Sequence, residues 1–220
     1  MNLSKSYEFF KPETLKGPCH IIGCGSVGST VAELLARFGI TDFVLYDFDF
    51  VEAHNIVNQM FTTKHLGRQK IECVKEMLEE INPEVKVRLE PSGWEGQPLN
   101  GYVFLAVDNI DLRREIANSN KFNAYIWAMF DFRTGLTDAQ HFAADWTDMK
   151  AKKAFIDSMN FSHEEVKDVL SACHVSMCVA PTVRLISNVG VANFINFAKG
   201  EHLYKQIIVD AFSFMTEAIG

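Results

Sequence analysis

The chain has 220 residues, 48% hydrophobic and 22% charged, so it can bury a sizeable core and does not read as a disordered segment. A net charge of −7, with no run of Lys and Arg, argues against a nucleic-acid partner or a basic membrane patch. Five cysteines, an odd number, argue against a disulfide framework and for a reducing, cytoplasmic setting.

The first residues carry no apolar signal core, and 1–17 read as a short leading segment, helical in part. CHIIGCG then reads as a buried strand running into a glycine turn, and 26–38 as a helix stopped by Gly39. DFVLYDF is a second strand. Residues 69–81 form an amphipathic helix with Ile71, Val74, Leu78 and Ile81 on one face, ended by Asn82-Pro83. VKVRL and YVFLAV are strands, 111–119 a helix and AYIWAMF a strand. The region 138–172 is polar and reads as a helical crossover or insertion, with Ser162 and Glu165 as a capping box. Residues 181–198 form a long apolar helix closed by Gly200. Pro181, Arg184, Asn188 and Asn193 interrupt it too often for a membrane span. KQIIVDAFSFM alternates like a last strand. Strand and helix alternate over the first 130 residues. The expected fold is therefore α/β: a Rossmann-like, doubly wound, mainly parallel sheet with helices on both faces and a C-terminal mixed or antiparallel extension.

Gly23, Gly25 and Gly28 form G-x-G-x-x-G between a strand and a helix. Glycines there permit a tight turn and close approach of the backbone to phosphate, and the helix start offers free N–H groups. Asp47 follows at the end of the second strand, where a carboxylate can accept from ribose hydroxyls. The alternative is a tight turn with no ligand. At this level NAD and ATP are not separable.

The next motifs separate them. DFDFVEAHNIVNQMF, GRQK, INPEVKV and AVDN follow in order, and SACHVSMCVAP and KQIIVDAF later. From about residue 15 to the end the chain resembles the ThiF superfamily, which contains thiamin- and molybdopterin-synthesis adenylyltransferases and ubiquitin-activating enzymes. The resemblance implies ATP-dependent adenylation of the C-terminal carboxylate of a ubiquitin-like or sulfur-carrier protein ending in Gly-Gly, in a single nucleotide-binding domain over 1–220 working as a homodimer. It implies catalytic roles for Lys70 on the phosphates and Asp108 near Mg²⁺ and the α-phosphate, and nucleotide contacts from Asp49, Asn55, Asn58, Gln59 and Arg68. Cys173 matches a cysteine that in some members does thioester or persulfide chemistry. The plainer alternatives are an exposed helix-start charge for Lys70, a helix N-cap for Asp108 and an inert thiol for Cys173, despite its neighbour His174. Zinc is not expected, because the Cys-x-x-Cys pairs of many relatives are missing here.

Two departures stand out. Asn58 occupies the place of the family's arginine in Asn-Leu-Asn-Arg-Gln, and LSKSYEFFKPETL has lysines but no arginine. Losing one charge-stabilising group can cost a factor of about 10² to 10³ in rate. Either adenylation is weakened, or Arg68 takes over. The competing readings are a catalytically weakened nucleotide-binding scaffold and an NAD-dependent oxidoreductase.

Overall fold

The structure, a computed structural model, describes residues 1–161 and 177–220. Cys173, His174 and the Ser162–Glu165 capping box lie outside the described residues. One sheet of eight strands runs in the order β3-β2-β1-β4-β5-β6-β7-β8. The strands are β1 (Cys19–Ile22), β2 (Asp42–Tyr46), β3 (Lys86–Glu90), β4 (Gly101–Leu105), β5 (Ile126–Thr134), β6 (Asp138–Asp145), β7 (Gln206–Asp210) and β8 (Met215–Ile219). Strands β1 to β5 pair in parallel, whereas β6, β7 and β8 are added antiparallel. This is the Rossmann-like, mainly parallel sheet with an antiparallel extension.

Helices α1 (Ser26–Arg37), α2 (Lys70–Ile81) and α5 (Ala180–Ala198) cover one face, and α3 (Ile110–Ser119) and α4 (Met149–Asp157) the other. The first core gathers Val31 and Leu35 of α1, Ile71 and Val74 of α2, and Phe194 of α5 against the sheet. Burying each such side chain is worth roughly 1.5–3 kcal/mol. Phe194 meets Phe104 and Phe130 edge-on, at ring-centroid distances of 5.3 and 5.4 Å. The second core holds Ile116, Phe155, Trp94 and Trp146. Among the described residues no helix is long and apolar enough to cross a membrane.

Two sequence expectations need correction. Residues 138–145 are strand, not part of a helical crossover: Ala139, His141 and Ala143 point into the core and the strand pairs with both β5 and β7. Small residues and a histidine carry that alternation, so it looks polar in sequence. The leading segment is helical in part, as expected, through turns and a short 3₁₀ helix at Pro12–Thr14. The last segment is two strands. Asp210 ends β7 because its carboxylate accepts from the backbone N–H of Phe212 (2.9 Å) and Ser213 (2.8 Å), and Phe214 closes the turn at φ 59°. A turn made without glycine leaves little trace in sequence.

Candidate functional site

The sheet register builds the site. Ile22, the last residue of β1, lies level with Tyr46 of β2 and Leu105 of β4. The three loops that follow these strands therefore leave the sheet side by side. They carry the Gly23 turn, Asp47–Asp49 and Ala106–Asn109, and β1 and β4 form the switch point where crossovers diverge to opposite faces. Between the loops lies a cleft of about 390 Å³, lined among others by Gly23, Gly25, Asp47, Asp49, Gln59, Lys70 and Asp108. Tyr46, Phe48, Ser92, Gly93 and Trp94 add an aromatic and loop wall that sequence reading missed as a site. Trp94 does two jobs there, since it is also a member of the second core.

The three glycines serve different ends. Gly23 has φ +91°, and a Cβ there would come within 2.8 Å of the Ala106 and Val107 backbone. At Gly28 a Cβ would stand 1.8 Å from the Gly23 carbonyl oxygen, so helix α1 can approach the turn only without one. Gly25 faces open space: a Cβ there would meet nothing within 4 Å. Packing thus demands two of the glycines, while the third leaves room at the cleft. Gly25 is the N-cap of α1, whose first turn has no side-chain cap and no acidic residue. Its leading N–H groups are an anion-ready terminus.

Asp47 is fixed by two backbone donors, Cys24 N–H to Oδ2 (2.6 Å) and Asp49 N–H to Oδ1 (2.8 Å). Burial raises its pKa above the ordinary carboxylate value, opposed by these hydrogen bonds and by Lys70. The strap after Asp47 folds back on the segment before α2: Val51 N–H donates to Arg68 O (2.8 Å) and Lys70 N–H to Asp49 O (2.9 Å). That return brings the Lys70 side chain, 9% exposed, to Asp49, with Nζ donating to Oδ2 at 2.7 Å. Lys70 is therefore no solvated helix-start charge. Asp108 is exposed at the rim, and the cap of α3 is Asn109 instead, whose Oδ1 accepts from Asp111 N–H and Leu112 N–H. Asp108 is thus left clear of capping.

Other expected residues stand outside the cleft lining. Arg68 pairs with Glu76 at 2.6 Å and is not part of the cleft lining. Asn58 donates from Nδ2 to the Cys178 carbonyl (2.8 Å), tying its loop to the chain just before α5. Asn55 is buried and accepts from Glu52 N–H at the start of a short 3₁₀ turn. Gln59 reaches the cleft with Oε1 buried and without a partner among the described residues. Burial also pushes the Cys24 and Cys178 thiols up, which does not favour thiolate chemistry at either. Among the described residues no group of three or more His, Cys, Asp or Glu side chains is placed to hold a metal ion.

Comparisons with known proteins agree with this architecture. The sequence model of the ThiF family matches residues 13–217. Ubiquitin-like modifier-activating enzyme 5 of Drosophila willistoni is 34% identical over 111 residues, covering 50% of this chain and 24% of that protein. The Drosophila virilis protein of the same name is 32% identical over 145 residues, covering 56% and 35%. The chain thus spans about a quarter to a third of the length of these relatives. E. coli MccB superposes with a TM-score of 0.73 at 15% identity, covering 99% of this chain and 70% of that one. A structure of E. coli MccB with ATP matches at 0.70 and 18% identity, over 94% and 64%. At such identities these structural likenesses concern the fold, but the family match runs over most of the sequence: the chain belongs to the ThiF family.

Proposed function

We propose that the chain uses ATP to adenylate the C-terminal carboxylate of a ubiquitin-like or sulfur-carrier protein. The observation that carries this reading is the convergence of an open, uncapped helix start at Gly25 with Lys70, Asp47 and Asp108 in one cleft. In this reading the triphosphate lies along the start of α1 and the ribose meets Asp47. The MccB structure with ATP, on the same fold, supports the choice of nucleotide.

A carboxylate oxygen of the carrier attacks the α-phosphorus, the bond from that phosphorus to the bridging oxygen breaks, and pyrophosphate leaves with the electron pair. An acyl-adenylate results. Charge gathers on the phosphate oxygens, and the Lys70 ammonium and the α1 N–H groups neutralise it in this reading. Asp49, now paired with Lys70, keeps the ammonium at the cleft until phosphate competes for it. Mg²⁺ fits the cleft's donor set: this ion uses one or two carboxylates plus substrate phosphates, so a cage of three protein ligands is not required. Asp108 would hold it, and it would supply further charge neutralisation.

The test is pyrophosphate exchange with ATP, Mg²⁺ and a carrier protein ending in Gly-Gly. Exchange supports the reading, and a folded protein that gives none with any such carrier refutes it. A second reading, a nucleotide-binding scaffold of the same family, is favoured by one observation: Lys70 is the basic side chain lining the cleft among the described residues, with Asn58 and Arg68 turned elsewhere. Tight ATP binding without exchange would select it.

A further inference from the structure

We infer that Arg113 is a positioning residue for Asp108, acting with Asp131 to fix the turn that presents this carboxylate to the cleft; the inference rests on the nucleotide reading given above. Arg113 lies on the first turn of α3 and is 6% exposed. Its Nε donates to the Val107 carbonyl at 2.7 Å and Nη2 donates to the same oxygen. Its Nη1 donates to Asp131 Oδ1 at 2.6 Å and to the Phe132 carbonyl. Asp131, fully buried in β5, accepts on Oδ2 from Arg133 Nε at 2.6 Å. Arg133 in turn donates to the carbonyl and hydroxyl of Ser158 just past α4, both at 2.8 Å.

Two guanidinium groups around one buried carboxylate are a costly way to fill a core. Apolar side chains of similar volume often stabilise as well or better. Helix α3 already has Ile110, Ile116 and Ala117 to anchor it. Apolar packing has no means, however, of orienting a carbonyl. The rigid fork of an arginine, itself locked by a carboxylate, does so. The Val107 carbonyl shares a peptide plane with Asp108 N and Cα, so gripping it fixes the N–Cα bond from which the Asp108 side chain is set and leaves only φ to turn it. Asn109, capping α3, holds the turn from its other side. Exposed Asp108 is thus pre-aimed by buried neighbours that never touch the cleft's contents.

The experiment uses Arg113→Lys, which keeps the charge and loses the fork, with Asp131→Asn as the second variant should the first not fold. Amide hydrogen exchange over residues 106–112 is measured without nucleotide, and ATP binding is titrated against Mg²⁺ by calorimetry. Exchange in this turn is expected to quicken while the other helices keep their protection. The Mg²⁺ concentration for half-maximal ATP binding should rise about ten-fold, the scale seen when residues supporting a metal ligand are removed. Binding of ATP without Mg²⁺ should stay within about two-fold, which a general loss of packing would not give. In an Asp108→Asn background, adding Arg113→Lys should shift the Mg²⁺ dependence no further. Unchanged exchange at the turn, or an unchanged Mg²⁺ dependence in a protein that binds ATP, overturns the inference. A wild-type protein that binds no ATP overturns the nucleotide reading instead, and the exchange measurement then still decides whether Arg113 orders the turn.

Discussion

Lys70 Nζ donates to Asp49 Oδ2 at 2.7 Å from a side chain that is only 9% exposed. A buried ammonium needs a partner, and here the partner sits half-exposed at the edge of the cleft. In the proposed function the pair would hold a cation ready for an incoming phosphate and release it by exchange of one anion for another. Lys70→Ala is expected to cut pyrophosphate exchange by a factor of about 10² to 10³. Asp49→Asn, which leaves the lysine in place, should cost less. Equal rates in wild type and Lys70→Ala would remove the lysine from the chemistry.

The glycine turn separates packing from binding. Gly28→Ala forces a Cβ against the Gly23 carbonyl and is expected to destabilise the fold by several kcal/mol. Gly25→Ala meets no protein atom within 4 Å, so by urea unfolding it should lose far less stability than Gly28→Ala. Its ATP affinity should nonetheless fall, because the added methyl occupies the side of the helix start where phosphate would lie. Wild-type affinity in Gly25→Ala would argue against phosphate at that point.

Burial holds the Asp47 carboxyl above its ordinary pKa, so it takes up a proton at a higher pH than a solvated aspartate. In the proposed function the ionised form is the one that would accept from the ribose hydroxyls. ATP affinity should therefore weaken on acidification while ordinary carboxylates are still charged, and Asp47→Asn should abolish that limb. The sign for stability is the reverse. A raised carboxyl pKa costs folding free energy once pH climbs through it, so Asp47→Asn should remove this pH slope, while its NH2 group can no longer accept from one of the two backbone N–H donors and lowers stability at every pH. Titration of ATP affinity and of the urea midpoint against pH reads both effects.

Buried histidines make the fold sensitive to acid. His20, held between the Tyr46 hydroxyl (2.9 Å) and Asn100 Oδ1 (3.1 Å), and His141, stacked among phenylalanines, are both pushed down to about 4 by burial. Both are neutral in the folded protein and take up protons near pH 6.5 when unfolded. Their contribution is complete above about pH 6.5 and is lost as pH falls toward 4, up to about 3 kcal/mol each. His141→Leu should flatten this part of the urea-midpoint profile. A profile unchanged by the substitution would contradict the assignment.

Much of this was readable in sequence, for identifiable reasons. The β1–α1 turn and helix α2 announce themselves through glycines at fixed spacing and an apolar stripe at helical period, and Lys70 and Asp108 follow from motif order. Strand β6 did not, because Ala139, His141 and Ala143 carry its inward face, and β8 did not, because all five of its residues are exposed and leave no alternation to read. Within the site, sequence order alone does not tell which of several polar residues turns inward. Asn58 and Arg68 flank residues that line the cleft, yet each is drawn away by a nearer partner, the Cys178 carbonyl and Glu76. The bracing of Asp108 joins residues 107, 113 and 131, whose proximity exists only once β4, α3 and β5 are assembled.

The proposed function requires a nucleoside triphosphate in the cleft at the start of α1, gripped by Lys70. Calorimetric titration of the wild-type chain and of Lys70→Ala with ATP and Mg²⁺, with NAD as the comparison ligand, tests it most directly. One ATP per chain is expected, with an affinity at least about ten-fold weaker in Lys70→Ala and no comparable binding of NAD. Absence of ATP binding to a folded wild-type protein, or equal affinity in the two proteins, would contradict it.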